Sequence, residues 1–390
     1  MRRFGDPRLW EIRTPVYRRF LSKVRGMEGV LSLLAGDPDF ETPKHIREAA
    51  IQAIEQGWTH YPAWDGYLDL RATLAEYHSR YGTDWDPQSE VRLFSGSTPA
   101  LFTSFISLLR RGDGIIVFEP YYMGYSPVFN YLDLKLSPIT LQEEERFHPD
   151  IEELKEAIKP ETRMIVLCTP NNPTGTVYNE EELKAIRDLA VDHDLLVLSD
   201  EIYDQFVYEG EHRSIAALPD MRGRTVVILS FSKTFAMTGW RLGAVLADRE
   251  VLSLVKRVPI GGRPAAFIQR AGLAALKGPW EPVERFREEY RRRRDHLAKR
   301  LNEIEGVSCT LPEGAFYLFP NIGGVSRDSV AFCEGLLEEE KVAVYPGVAY
   351  GETGEGHVRI ALVKPLEELD RCAEAFESYA ERHGVKPDSR

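Results

Sequence analysis

The segment Ser-Phe-Ser-Lys-Thr-Phe-Ala-Met-Thr-Gly-Trp-Arg-Leu-Gly occupies residues 230–243, directly after the apolar run Thr225–Leu229. That run is rich in β-branched residues, which is typical of a buried parallel strand. Lys233 therefore stands just past the end of a predicted strand, and Arg241 follows eight positions later, beside glycines. An unpaired lysine in a buried setting loses solvation, which shifts its amine toward the neutral, nucleophilic form.

The lysine and the arginine together suggest one kind of cofactor. A neutral amine forms a Schiff base with an aldehyde, and an arginine beside hydroxyl side chains suits a phosphate. Pyridoxal 5'-phosphate carries both groups. The competing interpretation is a surface lysine in a polar turn, because short motifs also match by chance. This segment leaves both interpretations open, so the rest of the chain has to distinguish them.

From about residue 90 the chain alternates between predicted strands and helices, which predicts a mostly parallel sheet covered on both faces. The predicted strands are Val91–Phe94, Ile115–Phe118, Met164–Cys168, Leu195–Leu198, Thr225–Leu229 and Leu242–Ala247. In open α/β sheets, ligands bind outside the carboxyl ends of the strands. We therefore expect five polar residues near those ends to converge on one crevice: Asn172, Asp200, Tyr203, Lys233 and Arg241.

The composition excludes several classes of function. The chain has 390 residues, 43% of them hydrophobic and 28% charged, as in a globular protein. Its net charge of −12 argues against a nucleic-acid or anionic-membrane partner. The four cysteines lack metal-site or redox spacing, and neither a signal peptide nor a membrane-spanning run is visible. We expect a cytoplasmic protein with reduced thiols, no metal site, no nucleic-acid partner and no membrane partner.

The pattern changes outside this region. A helix is predicted over Pro43–Gln56, with Thr42 as its N-cap. After about residue 280 a long charged helix, Glu281–Asn302, precedes short strands, the first of them around Val307–Cys309. Such a mixture is typical of a separate α+β unit.

The joint order of these motifs, from Gly36 to Arg359, resembles the class I/II aminotransferases, which are pyridoxal-phosphate enzymes of fold type I in the aspartate aminotransferase superfamily. The resemblance implies an α/β fold. A large cofactor domain, residues 45–285, would hold a mostly parallel, seven-stranded sheet between helices, and residues 1–44 and 286–390 would form a smaller α+β domain. It also implies a homodimer with shared active sites. The reaction would move an amino group between an α-amino acid and a 2-oxo acid by a ping-pong mechanism.

The resemblance assigns the central roles to a few residues. Lys233 is similar to the Schiff-base lysine, which also moves a proton between the substrate Cα and C4' of the cofactor. Asp200 resembles the carboxylate that pairs with the pyridine nitrogen and keeps it protonated. Tyr203 and Asn172 resemble the pair that hydrogen-bonds the 3'-oxygen, and Tyr122 resembles the aromatic residue stacked on the ring.

The same resemblance implies how the phosphate and the substrate are held. The phosphate would contact Ser97, Thr98, Ser230, Arg241 and Tyr61 of the neighbouring subunit. The substrate α-carboxylate would be clamped by Arg359, with Gly36 and Asn172 nearby. Cis peptide bonds are implied at Glu119–Pro120 and Asn172–Pro173.

Substrate choice stays open at this point. Aspartate-specific members of this branch often carry a basic residue where this chain has Thr98. Arg263 either binds an acidic side chain in the other subunit's site or is structural, which is the commoner role of a loop arginine. The aromatic residues Trp58, Trp64 and Tyr67 either favour an aromatic or aliphatic substrate or pack an interface.

The type of reaction also has alternatives. One is a different pyridoxal-phosphate reaction on the same fold, such as β-elimination, cyclisation or oxidation. A non-catalytic effector module is a poorer alternative, because the chain keeps Lys233 and shows no DNA-binding extension.

Overall fold

Short strands and longer helices alternate over most of the chain. The computed structural model describes residues 16–258 and 262–384. The strands are β1 (Leu31–Ser32), β2 (Val91–Phe94), β3 (Gly114–Glu119), β4 (Lys135–Thr140), β5 (Thr162–Cys168), β6 (Leu196–Asp200), β7 (Thr225–Ser230), β8 (Gly243–Ala247), β9 (Tyr317–Leu318), β10 (Val342–Ala343), β11 (Tyr345–Pro346) and β12 (Val358–Ala361). The α-helices are α1 (Val16–Val24), α2 (Lys44–Glu55), α3 (Leu68–Ser79), α4 (Ser97–Leu108), α5 (Ser126–Leu132), α6 (Ile151–Glu156), α7 (Glu180–Asp192), α8 (Phe231–Thr234), α9 (Arg249–Arg257), α10 (Ala266–Lys277), α11 (Glu281–Asn302), α12 (Ser329–Glu340) and α13 (Leu366–His383).

The central sheet contains seven strands in the order β2-β8-β7-β6-β5-β3-β4. All neighbours are parallel except β8, which runs antiparallel to both β2 and β7. Alternate residues of β7 belong to two hydrophobic clusters, Val226 and Ile228 to one and Val227 and Leu229 to the other. Apolar side chains therefore cover both faces of the sheet, and the predicted α/β class is confirmed.

The strands that precede the predicted site residues end at the same edge of this sheet. Strands β5, β6 and β7 are parallel, so Cys168, Asp200 and Ser230 end on the same side. Because β8 runs the opposite way, its first residue, Gly243, pairs with Ser230. Arg241, just before β8, is thereby brought to the edge where Lys233 follows β7.

The N-terminal and C-terminal segments meet in two small sheets. Strand β1 pairs in parallel with β10, and β9, β11 and β12 form an antiparallel sheet in the order β11-β12-β9. The carbonyl of Leu33 accepts a hydrogen bond of 3.0 Å from the Ala361 N–H. The segment before α2 therefore packs against the last strands of the chain.

One predicted strand is absent, and one observed strand was not predicted. The strand expected around Val307–Cys309 is absent from the described chain, where Ser308 makes only an isolated bridge to Asn321. Strand β4 was not predicted, because its sequence, Lys-Leu-Ser-Pro-Ile-Thr, is partly exposed and contains a proline. Both features are tolerated because β4 lies at the edge of the sheet.

Two local backbone predictions were also wrong. Helix α2 has Pro43 at its N-cap position, and the hydroxyl of Thr42 donates to the carbonyl of Ala236 instead of capping the helix. The cis bond at Glu119–Pro120 is confirmed, whereas the other cis bond in the described residues is Thr169–Pro170 and not Asn172–Pro173.

Three further features of the described chain concern its cysteines, its helices and its metal-binding side chains. All four cysteines are buried and free. No helix in residues 16–258 and 262–384 is long and apolar enough to cross a membrane. The same residues contain no group of side chains arranged to hold a metal ion.

Candidate active site

A cavity of about 290 Å³ opens at the carboxyl edge of the central sheet. Nine predicted site residues line it: Gly36, Ser97, Thr98, Tyr122, Asn172, Tyr203, Lys233, Arg241 and Arg359. Asp200 is buried close enough for its charge to act on Lys233. A larger surface cavity, of about 780 Å³, contains none of the predicted residues.

Lys233 lies in the short helix α8, directly after β7. Its ammonium donates a hydrogen bond to the carbonyl of Gly36. Burial lowers the pKa of Lys233 to about 8, and the nearby positive charge of Arg359 adds to this effect, while Asp37 opposes it. The amine is therefore much closer to its neutral, nucleophilic form than an exposed lysine would be.

Asp200 closes strand β6 and is fully enclosed. Its Oδ2 atom accepts a hydrogen bond of 2.7 Å from the hydroxyl of Tyr125. Its Oδ1 atom is buried and has no hydrogen-bond partner in the described structure. Burial raises the pKa of Asp200 to about 6. A buried carboxylate oxygen without a partner is costly, so this atom is suited to a donor brought by a bound molecule.

Tyr203 and Asn172 form a polar pair in the cavity wall. The Asn172 Nδ2 atom donates to the Tyr203 hydroxyl at 3.4 Å. Asn172 Oδ1 accepts a hydrogen bond of 3.2 Å from Nη1 of Arg359. These contacts hold the phenol and the guanidinium on neighbouring parts of the cavity surface.

Arg359 projects from β12 and is only 2% exposed. Its Nη2 atom donates to the carbonyl of Leu34, and its Nε atom is buried without a partner. No aspartate or glutamate of the described chain pairs with it; its other neighbours are the rings of Tyr317, Tyr345 and Tyr350. A buried guanidinium without a counter-charge is an incomplete ion pair, which an incoming carboxylate would complete.

Another part of the cavity wall is arranged for an anion. Helix α4 begins at Ser97 with Gly96 as its N-cap residue and no side-chain cap, so its first N–H groups remain available. Gly96 has a φ of 97°, and a Cβ at this position would overlap the guanidinium of Arg241. The glycine therefore allows the arginine to lie directly against the uncapped helix end.

Three residues considered in the sequence lie elsewhere. Ser230 does not line the cavity; its hydroxyl accepts a hydrogen bond of 3.2 Å from the Ser232 N–H and caps α8. Tyr61 is 88% exposed and lies outside the cavity of its own chain. Arg263 contacts the rings of Tyr61 and Trp64, each at 4.8 Å, and donates to the carbonyl of Pro62.

Sequence analysis missed two residues that touch the site. Tyr125 donates to Asp200, and Tyr317 hydrogen-bonds the Tyr203 hydroxyl at 2.8 Å. Both tyrosines lie in aromatic, apolar stretches that are typical of a core, and their site partners lie far away in the chain. The only sign in the sequence was that a buried tyrosine carries a hydroxyl group, which usually needs a hydrogen-bond partner.

The arrangement fits pyridoxal 5'-phosphate. The uncapped helix end and Arg241 suit its phosphate, and the unpartnered oxygen of Asp200 suits the N–H of its ring. Tyr203 suits its 3'-oxygen, and the amine of Lys233 suits its aldehyde. Arg359 remains for the carboxylate of an amino acid.

Comparisons with known proteins agree with this geometry. Residues 28–376 match the family model for aminotransferase class I and II. An aromatic-amino-acid aminotransferase 2 of Thermococcus litoralis is 39% identical over 92% of this chain and 94% of the relative. An aspartate aminotransferase of Pyrococcus horikoshii is 40% identical over 96% of this chain and 97% of the relative.

A solved structure agrees as well. The crystal structure described as Pyrococcus protein-A1 superposes with a TM-score of 0.93 at 38% identity, covering 96% of this chain and 98% of that one. The chain therefore belongs to the class I and II aminotransferases, enzymes that transfer amino groups with pyridoxal 5'-phosphate as their cofactor.

Proposed function

We propose that Lys233 and Arg359 carry a ping-pong exchange of an amino group between an α-amino acid and a 2-oxo acid. The supporting observation is that a lysine with a lowered pKa shares one cavity with a buried arginine that no carboxylate of the described chain neutralises. The amine supplies a nucleophile and a base, and the guanidinium supplies a planar site for the α-carboxylate.

The wall of the cavity would hold the cofactor from several sides. When bound, pyridoxal 5'-phosphate supplies an aldehyde carbon for an amine and a ring that accepts electrons. The free oxygen of Asp200 pairs with the ring N–H, and the ring of Tyr122 packs on its face. The Tyr203 hydroxyl, supported by Asn172, donates to the 3'-oxygen.

The phosphate would lie at the beginning of α4. The N–H groups of Ser97 and Thr98 and the guanidinium of Arg241 hold it there. The hydroxyl of Ser230 accepts the Ser232 N–H and caps the helix that carries Lys233, which leaves its own hydrogen to donate to the phosphate. The exposed Tyr61 reaches the phosphate site of a second copy of the chain.

Lys233 would also move the proton. Its Nζ atom accepts the proton that leaves the substrate Cα. With a pKa of about 8, roughly a tenth of this amine is neutral at pH 7, compared with roughly 0.03% for an unperturbed lysine. The increase in the neutral fraction is about 300-fold, so burial together with the nearby arginine charges makes this lysine a usable base near neutrality.

The favoured substrate side chain is aromatic or aliphatic. The cations that line the cavity in the described chain are Lys233, Arg241 and Arg359, and each already has a role above. Arg263 is engaged by aromatic rings of its own chain. Within one copy of the described chain, no cation of the cavity wall therefore remains for a distal carboxylate; Arg263 of the second copy, which lies beside Tyr61, is outside this count.

The assembly forms a second part of this proposal. We place two copies in a homodimer with shared active sites, supported by the exposed Tyr61 beside Arg263. We divide the chain into a large domain, residues 45–285, and a small domain, residues 1–44 and 286–390. Four free, buried cysteines suit a reducing, cytoplasmic location.

The test is a spectral titration of the cofactor-loaded protein with single amino acids and no oxo acid. Transamination predicts a yellow band that bleaches with an amino acid and returns with a 2-oxo acid. Phenylalanine or leucine should bleach it at lower concentrations than aspartate. Lys233→Ala should abolish the band, whereas Lys277→Ala, at an exposed position of α10, should keep it.

Three other outcomes would contradict separate parts of the proposal. A persistent band with accumulation of pyruvate and ammonia would indicate elimination. Bleaching by aspartate at the lowest concentration would refute only the side-chain preference. A folded, fully active monomer in a sedimentation dilution series would refute the shared site.

A further inference from the structure

Tyr317 lies between two parts of the proposed site and belongs to none of the motifs found in the sequence. The Cζ atom of Arg359 is 4.3 Å from the centroid of its ring. Its hydroxyl is 2.8 Å from the hydroxyl of Tyr203 and lies over Gly36, where a Cβ would overlap it. A buried tyrosine thus contacts the carboxylate-binding arginine on one side and the cofactor-facing phenol on the other.

The direction of the hydrogen bond between the two phenols has a consequence for Tyr203. Each hydroxyl has one hydrogen to donate and can accept two. The Tyr203 hydroxyl already accepts from Asn172. If Tyr203 donates to Tyr317, it has no hydrogen left for a bound molecule. If Tyr317 donates to Tyr203, the hydrogen of Tyr203 is free to point into the cavity.

The surroundings of the two phenols favour Tyr317 as the donor. Burial raises the pKa of both hydroxyls, but the positive charge of Arg359 opposes this effect for Tyr317, whereas no cation does so among the main influences on Tyr203. A cation over the ring withdraws electron density from the phenol and makes its hydrogen a better donor. Arg359 therefore biases the bond toward donation from Tyr317 to Tyr203.

We propose that Tyr317 is a positioning residue for the amino-group transfer: its hydroxyl donates to Tyr203 and thereby keeps the Tyr203 hydrogen directed at the cofactor's phenolic oxygen. This inference rests on the proposed role of Tyr203 and adds a residue that strengthens that role by polarising the Tyr203 hydroxyl. A chain of two aligned hydrogen bonds is stronger than its separate members.

The measurable consequence is a change in the titration of the loaded enzyme. A donor at the phenolic oxygen favours its deprotonated form, and so lowers the pH at which the group formed with Lys233 loses its proton. Apart from Arg359, the charged groups that act most strongly on Lys233 are Asp37, Arg241 and Asp200. A Tyr317→Phe substitution changes none of these charges and keeps the ring over Arg359.

The experiment is a spectrophotometric pH titration of the loaded enzyme, with thermal unfolding measured in parallel. Tyr317→Phe should raise the midpoint of the yellow band by about half a pH unit, the effect of losing part of one hydrogen bond. Tyr350→Phe is the matched control. Its ring also faces Arg359, at 5.3 Å, but its buried hydroxyl has no hydrogen-bond partner, so its midpoint should equal that of the unaltered enzyme.

A second variant separates the ring from the hydroxyl. Tyr317→Phe should leave the KM for the amino acid nearly unchanged, because the ring still packs on Arg359. Tyr317→Leu should raise both the titration midpoint and the KM, the latter about fivefold, because the cation–π contact is lost as well.

The outcomes distinguish this inference from the proposal on which it rests. An unchanged or lower midpoint in Tyr317→Phe would overturn the role of Tyr317, as would equal shifts in Tyr317→Phe and Tyr350→Phe. If the unaltered protein forms no band that depends on Lys233, the proposed function itself fails. The band of the unaltered protein therefore shows which of the two is wrong.

Discussion

Replacing Tyr125 by phenylalanine removes one hydroxyl from the interior and leaves the ring in place. That hydroxyl donates to Oδ2 of Asp200 at 2.7 Å, and both side chains are buried. Of the hydrogen bonds that act on this carboxylate, the bond from Tyr125 lowers its pKa most, ahead of the backbone N–H of Ile202. The substitution therefore acts on the charge of Asp200 without altering the shape of the site.

The size of the effect follows from the strength of such a bond. A hydrogen bond to a charged group contributes about 1.5–3 kcal/mol, which corresponds to about 1–2 pKa units. The pKa of Asp200, already raised to about 6 by burial, should rise further by this amount. A carboxyl group with a higher pKa is charged for a smaller fraction of the time at pH 7, so in the proposed site it would keep the cofactor's ring nitrogen protonated less often, and the rate of the half-reaction should fall by about 2- to 10-fold.

The assay is stopped-flow bleaching of the yellow band with a saturating amino acid, together with the dissociation constant of the cofactor. Tyr178→Phe is the matched control, since Tyr178 is equally buried and its hydroxyl has no hydrogen-bond partner. Tyr178→Phe should react at the unaltered rate. If Tyr125→Phe does so too, the carboxylate does not depend on this hydrogen bond and the reasoning is refuted.

Three further predictions concern buried charged groups. Arg359→Lys should lower kcat/KM by about 100-fold, because an ammonium cannot reproduce the two parallel hydrogen bonds of a guanidinium; an unchanged value in steady-state kinetics would exclude it as the carboxylate site. In the cofactor-free protein, burial raises the folded-state pKa of Asp200 from its ordinary value of 3.8 to about 6. The free energy of unfolding should therefore fall by about 3 kcal/mol as the pH rises from about 4 to above 6. Asp200→Asn should abolish that loss in denaturant titrations at pH 4 and pH 8, and an equal loss in both proteins would contradict the assignment. Burial raises the pKa of Glu201, but hydrogen bonds from His212 and His78 hold that pKa well below its usual range. Glu201→Gln should therefore lower the free energy of unfolding by about 3–5 kcal/mol. A change within about 0.5 kcal/mol would show that the charge is dispensable.

The central part of the site could be predicted because its residues follow strand ends. Lys233 and Asn172 come soon after apolar runs, Asp200 ends one, and parallel strands bring such ends to one edge of the sheet. Their residue types also limit the chemistry they can perform. Short-range pattern was therefore sufficient for the fold class and for bringing these residues to one edge of the sheet, whereas the cofactor and the residue roles came from the resemblance to the aminotransferases.

The same reasoning failed where a side chain had more than one possible partner. Thr42 was predicted as a helix cap, but it donates to Ala236. The hydroxyl of Thr42 had both a local and a distant backbone group as possible partners, and spacing in the sequence does not rank those two choices.

The sequence by itself determined the alternation of strands and helices, because periodicity and β-branching act over a few residues. Tertiary structure alone decided that β8 runs antiparallel, which brings Arg241 to the edge that carries Lys233. It also decided that Tyr317 meets Tyr203 across 114 positions of the chain. A hydrogen bond depends on placing two atoms to within a few tenths of an ångström, and only the packing of distant segments against one another sets such distances.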